Sequence, residues 1–257
     1  MISRDDLIDF IHRTLGQDLL NQAAVKDDLA NGPQVLGTDQ VTKVALGVSC
    51  NQEFLDKAVA WGAQVCIFHH GLDIRFEKFR FPLYTQNRLR AIFQNDLTIL
   101  GYHYALDAHP TIGNNAQIIQ TLGAKITGSL YQDWGFIAEF DQPLTITQLE
   151  NKCRKLFGQT INFAGKHQHV RIIGVVSGAA KPYQLEIEEL LENNVQIYIS
   201  GESSESTPHK LTELGIGYIL GGHYATETFG VKTLGDEIKK HFQHKLKVKF
   251  IDIPNLL

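Results

Sequence analysis

At 257 residues, 43% hydrophobic and 20% charged, the chain is long and apolar enough to bury a core, which excludes a disordered segment. Its formal net charge of −4 supplies no positive excess to draw it to nucleic acid or to an anionic membrane surface. No run approaches the ~20 apolar residues needed to span a bilayer, and Met1-Ile2-Ser3-Arg4-Asp5-Asp6 is acidic where a secretory signal is basic and then apolar. Cys50, Cys66 and Cys153 are far apart, odd in number and in no CxxC arrangement, so a reducing, cytoplasmic setting without disulfides is expected, with Cys66 a buried thiol.

In chain order, residues 3–16 read as a helix that Ser3 can cap, with Asp5 and Asp6 in its first turn and Leu7, Ile8, Phe10, Ile11 and Leu15 on an apolar side. Residues 30–40, with Gly32-Pro33 and Gly37, read as a loop. A strand at 44–48, a helix at 52–61 stopped by Gly62 and a strand at 64–68 make a β-α-β unit, the building block of parallel sheets. A loop rich in Phe and Arg from Arg75 to Pro82 precedes a helix at 84–95 and a strand at 97–102. Asn114 or Asn115 can cap a helix to Leu122, residues 134–140 alternate as a strand, and 147–156 suggests a helix.

The second half repeats this order. Residues 171–177 resemble 43–49 in pattern, a helix follows at 185–191, a strand at 195–200 ends at Gly201-Glu202, and a strand at 216–220 ends at Gly221-Gly222-His223, much as 98–101 ends at Tyr102-His103. A helix at 233–241 and an edge strand at 247–253 close the chain. The expected architecture is α/β: two similar, interlocked units with mixed, mainly parallel sheets and helices packed on them. Residues 1–125 form the first and 126–257 the second, and the nearest linker candidates are 123–133 and 162–169.

Ligands in open α/β sheets gather beyond the carboxyl ends of strands. Three apolar runs stop there at groups able to bind a metal: Cys66-Ile67-Phe68-His69-His70-Gly71, Tyr102-His103-Tyr104-Ala105-Leu106-Asp107-Ala108-His109-Pro110, and Gly221-Gly222-His223-Tyr224-Ala225-Thr226-Glu227. Neighbouring strand residues point to opposite faces, so His69 and His70 converge only if the chain leaves β geometry there; otherwise one is a buried, hydrogen-bonded ring and the other faces solvent. His223 and Glu227, four apart, share a helical face if a helix begins near His223, either to reach one metal or as an ordinary polar pair. Asp107 offers a hard oxygen ligand or serves as a turn residue, while His103 and His109 are candidates for acid–base or outer-sphere roles. Gly222 lets backbone approach a bound substrate, and Glu202 and His209 belong to a polar loop that either closes over a cavity or is simply solvated.

The segments Ile67–Gly71, Leu106–Pro110 with Gly113-Asn114-Asn115, Gly222–Glu227 with Phe229-Gly230-Val231, and the ending Phe250-Ile251-Asp252-Ile253-Pro254-Asn255 resemble the GTP cyclohydrolase 1 type 2 homologue family, a dinuclear metal-centre, NGG-interacting-factor-like family, in its compact form without a middle insertion. The resemblance spans nearly the whole chain. It implies two divalent ions per chain (Fe, Mn, Zn, Co or Ni), one on His70 and Asp107, the other on His69 and His223, with Glu227 bridging, in a site between the units. It further implies a toroidal homohexamer and a hydrolase that opens a purine ring of a nucleotide such as GTP, with His103 or His109 moving protons. A non-catalytic metal scaffold or metal chaperone, and a phosphoester or cyclic-nucleotide hydrolase, are the competing functions.

Overall fold

Three helices begin at a side chain that caps them. Ser3 Oγ accepts the Asp6 amide at 3.0 Å and starts Arg4–Leu15, which buries Leu7, Ile8, Ile11 and Leu15. Asn51 Oδ1 accepts the Phe54 amide at 2.9 Å and starts Gln52–Trp61. Thr145 and Gln148 form a reciprocal capping box at the head of Ile146–Phe157. Thr145→Ala removes the acceptor for the Gln148 amide and should cost about 1 kcal/mol in urea unfolding, with no change in metal content.

The computed structural model describes residues 1–75 and 80–255, so residues 76–79 of the expected Arg75–Pro82 loop lie outside the described residues. The chain divides into two units, the first made of Met1–Leu106 with Gly230–Ile253, the second of Asp107–Phe229 with Pro254 and Asn255. The boundary expected at 125/126 is thus corrected, and the first unit is discontinuous in sequence. Two packing facts account for this. Strand Lys247–Phe250 pairs in parallel with Lys43–Ser49, which returns the C-terminal stretch to the first unit. Helix Asn114–Leu122 buries Ile118, Ile119 and Leu122 in the second unit's core. The linker candidates also hold structure, since Lys125–Leu130 and Ile161–Phe163 are strands.

Among the described residues, the first unit carries a five-stranded sheet in the order Lys247–Phe250, Lys43–Ser49, Val65–His70, Thr98–Tyr102, Asn31–Val35. The first four are parallel and the last is antiparallel. Asn31–Val35 falls in the stretch expected to be loop; it pairs with the otherwise open edge of Thr98–Tyr102, where Pro33 is tolerated because an edge strand has one side without ladder bonds. Lys247–Phe250 occupies the opposite edge, as its imperfect alternation suggested. Gln17–Lys26 is a helix that the sequence reading did not identify. Phe54 and Phe68 meet edge-on at 4.5 Å within this unit's core.

The second unit carries a six-stranded sheet in the order Lys125–Leu130, Gly135–Thr145, His169–Val176, Ile197–Ser200, Gly217–Leu220, Ile161–Phe163. Its two central pairings are parallel and the outer ones antiparallel, so this sheet is mixed. The buried parts of the central strands are mainly apolar because both faces are covered there. Ile173, Val175, Ile197, Ile199 and Ile219 enter one core, while Val176, Tyr198, Tyr218 and Leu220 enter another. In each unit, three successive parallel strands therefore place their carboxyl ends side by side. Among the described residues no helix is long and apolar enough to cross a membrane.

Candidate metal centre

In the first unit, Val65–His70 remains a strand to its last residue, so the chain keeps β geometry through the histidine pair, with His69 buried and His70 partly exposed. The rings nevertheless lie 4.6 Å apart, although each is hydrogen-bonded to a different flanking strand. His69, fully buried, donates from Nδ1 to the Tyr102 carbonyl at 3.2 Å. His70 Nδ1 lies 3.3 Å from Ser49 Oγ on the other side. His103, just beyond Thr98–Tyr102, brings its ring to 4.7 Å from His69 and 5.2 Å from His70. Each of the three rings can offer one nitrogen within 4.8 Å of the others.

His103 is held by Asp27, whose Oδ2 accepts from His103 Nδ1 at 2.9 Å, the Tyr104 amide at 3.0 Å and Asn31 Nδ2 at 2.8 Å; Oδ1 accepts the Leu29 amide at 2.9 Å. Burial alone would raise the Asp27 carboxyl, but the hydrogen bond and charge of His103, with the Leu29 amide and Asn31, outweigh it and bring it down to about 2. A neutral His103 facing this anion carries its proton on Nδ1 and its lone pair on Nε2.

In the second unit, Asp107 rides the short helix Tyr104–Ala108. Its Oδ1 accepts from Ser177 Oγ at 2.7 Å and from Asn114 Nδ2 at 2.9 Å. Asn115 donates to the Asp107 carbonyl at 3.1 Å and accepts the Ser177 amide at 2.7 Å. The helix cap is Gly113, so the two buried asparagines, expected as caps, instead tie Asp107 to the loop after His169–Val176. His223 opens the short helix His223–Thr226, Glu227 caps its end, and His223 Nε2 lies 3.1 Å from Oε1 of the buried Glu227. Its Nδ1 contacts Glu202 Oε1 at 2.5 Å, and Glu202 Oε2 lies 3.3 Å from Lys181 Nζ. Burial would lower the His223 ring; the hydrogen bond and charge of Glu227, then those of Glu202, outweigh it and push the ring up to about 9. Burial would likewise raise Glu202, but His223 and then Lys181 hold it below the usual carboxylate range.

The donor set fits a divalent transition metal. Imidazole and carboxylate together suit Fe, Mn, Co, Zn or Ni, and the outer hydrogen bonds on His69, His103, His223 and Asp107 are the kind that orient metal ligands. His109 does something else: its Nδ1 accepts the Thr111 and Ile112 amides at 3.2 and 3.3 Å, closing the turn after Asp107. Glu202 and Gly222 line a cavity of about 560 Å³ together with Gln159, Thr160, Ile161, Gly201, Ser203 and Leu220. The exposed His209 lines a different cavity, beside Phe163 and Thr212.

The sequence reading missed Asp27, Asn114 and Asn115 as anchors, Ser177, and Gly178. One signal was available: His-Tyr-Ala-x-acid occurs at His103–Asp107 and again at His223–Glu227. Ser49 and Ser177, already paired by the repeat, both contact a candidate ligand. Asp27 had no such signal, because it reaches His103 only through the fold.

Residues 4–255 match the family described as Duf34/NIF3 (NGG1p interacting factor 3). A Yersinia pestis protein named GTP cyclohydrolase 1 type 2 homolog is 35% identical over 94% of this chain and 96% of its own length. An Escherichia coli K12 protein of the same name is 34% identical over 92% and 94%. Among solved structures, one described as protein ybgI, of unknown function, has a TM-score of 0.88 at 31% identity and full coverage of both chains. TTHA1606 from Thermus thermophilus has a TM-score of 0.84 at 28% identity, again over the whole of both.

Proposed function

The chain belongs to the Duf34/NIF3 family, and we propose that it is a dinuclear metal-dependent hydrolase acting on a nucleotide such as GTP. The observation that carries this reading is the way each unit presents its donors. Imidazoles and carboxylates stand at the carboxyl ends of strands, each steered by a second hydrogen-bonding partner, an arrangement that a solvated surface histidine does not need. His69, His70, Asp107, His223 and Glu227 would hold the ions.

The chemistry such ions supply when bound is acidification of water and polarisation of an electrophile. The chain's own residues do the positioning. Ser177 and Asn114 occupy one oxygen of Asp107 and so set the direction of the other. Glu202 fixes the His223 ring through Nδ1. The cavity beside Glu202 and Gly222, at about 560 Å³, is of the size that receives a small molecule and so supports a substrate role for both. The names of the curated relatives support purine ring opening. A homohexamer in the cytoplasm is part of the same reading; the three free, buried cysteines suit a reducing compartment.

Asp107→Asn tests it. Purified protein loaded with Mn²⁺ should turn over GTP, and the variant, folded by circular dichroism, should lose more than the roughly 100-fold that removal of an outer partner costs a metal site. Equal rates in both proteins would remove Asp107 from the centre. Tight metal binding with no turnover of GTP or a cyclic nucleotide would replace the hydrolase with a metal scaffold or carrier.

A further inference from the structure

We propose that His103 is a sixth protein donor of the metal centre, and that Asp27 is the positioning residue that makes it one. The inference rests on the dinuclear reading and deepens it, since neither residue belongs to the five-ligand set.

Three observations support it. The His103 ring stands with those of His69 and His70, and all three can offer a nitrogen within 4.8 Å of one another. The Asp27 carboxylate accepts a hydrogen bond from His103 Nδ1–H at 2.9 Å and thereby leaves the ring's lone pair on Nε2, on the outer side of the ring. The second unit has the same arrangement within itself. His223, which opens the second His-Tyr-Ala-x-acid segment, has its Nδ1 on the Glu202 carboxylate, as His103, which opens the first, has its Nδ1 on Asp27. Two histidines in matching places of a repeated design, each backed by a carboxylate, perform the same task. A carboxylate–histidine pair of this kind fixes the tautomer and strengthens the ring as a ligand.

The position of Asp27 also needs explaining. It caps the C-terminus of Gln17–Lys26, where the helix dipole disfavours an anion. Its carboxylate is spent on His103 and on the backbone that carries it: Tyr104 N and Leu29 N are both bonded to Asp27, Asn31 joins Asp27 to Ala105 N, and the His103 amide donates to Ala30 O at 3.1 Å. The segment from Asp27 to Asn31 is therefore a clamp on residues 103–105, and the ring orientation is its product.

The test is Co²⁺ titration of the metal-stripped full chain against a competing chelator, reading affinity and the visible d–d spectrum. The proteins are wild type, Asp27→Asn, His103→Ala and the double variant. Asp27→Asn should weaken Co²⁺ roughly 10–100-fold. His103→Ala should weaken it at least as much and alter the spectrum, and in that background Asp27→Asn should add little, because its effect runs through the ring. His103→Ala leaves the clamp on Leu29, Asn31 and Tyr104 in place, so it carries the test if Asp27→Asn does not fold. Affinity and spectrum unchanged in His103→Ala would overturn the proposal, leaving His103 as an acid–base group. An Asp27→Asn effect that persists in full without His103 would overturn the positioning role. Absence of Co²⁺ uptake by wild type would sink the dinuclear reading itself, an outcome distinct from both.

Discussion

Glu227→Ala should strip the protein of metal. Wild type purified without added metal, or reconstituted anaerobically, is expected to carry about two divalent ions per chain, and elemental analysis of the variant should show most of that gone. The effect is large because Glu227 is proposed to bridge both ions, so one substitution removes a ligand from each. It is also 2% exposed, and water cannot easily stand in for its carboxylate. The loss in affinity should exceed the roughly 10–100-fold that removal of an outer partner costs. The variant keeps the caps and sheets described above, and its far-ultraviolet circular dichroism should match wild type. Equal metal content in the two proteins would return His223 and Glu227 to the status of an ordinary pair at a helix start.

Gly178→Ala should be nearly as damaging to metal binding, although Gly178 has no ligating side chain. It follows Ser177 at the end of His169–Val176 with φ +67, and its amide donates to Thr226 Oγ1 at 3.0 Å. A Cβ at this position would overlap Glu227 Oε1 and come within 3.4 Å of His223 Nε2. The carboxylate must then leave the ring, and the pair that offers donors in the second unit is broken. The backbone strain itself should cost about 1–3 kcal/mol of stability. Gly123→Ala separates the two effects: it has φ +87 but open space around it, so it should lose stability and retain its metal. A Gly178→Ala protein that binds metal like wild type would show that Glu227 has room to move and that the tight packing carries no function.

Much of this protein was legible in the chain itself. Periodicity located most helices close to their observed ends, and the Ser3 cap was readable because it acts on a backbone amide only three residues away. The central strands were readable as apolar runs because burial on both faces leaves no polar alternation. The five proposed ligands stood out as metal-binding side chains at the ends of such runs, and a metal centre needs those residue types whatever holds them.

What the chain could not display depends on contacts between residues distant in sequence. Asn31–Val35 is a strand only because the edge of Thr98–Tyr102 accepts it, and a segment containing Gly32-Pro33 has no local reason to be extended. Lys247–Phe250 belongs to the first unit because its ladder is with Lys43–Ser49, a pairing that no local propensity encodes. The functional consequence is the same. Residue type and spacing nominated His103, His109 and His223 alike, but only the fold separates a ring backed by Asp27 or Glu202 from one that closes a turn onto Thr111 and Ile112. A donor atom's chemistry is set by the residue that carries it, whereas its tautomer, direction and charge are set by whichever partner the tertiary structure brings to its other side.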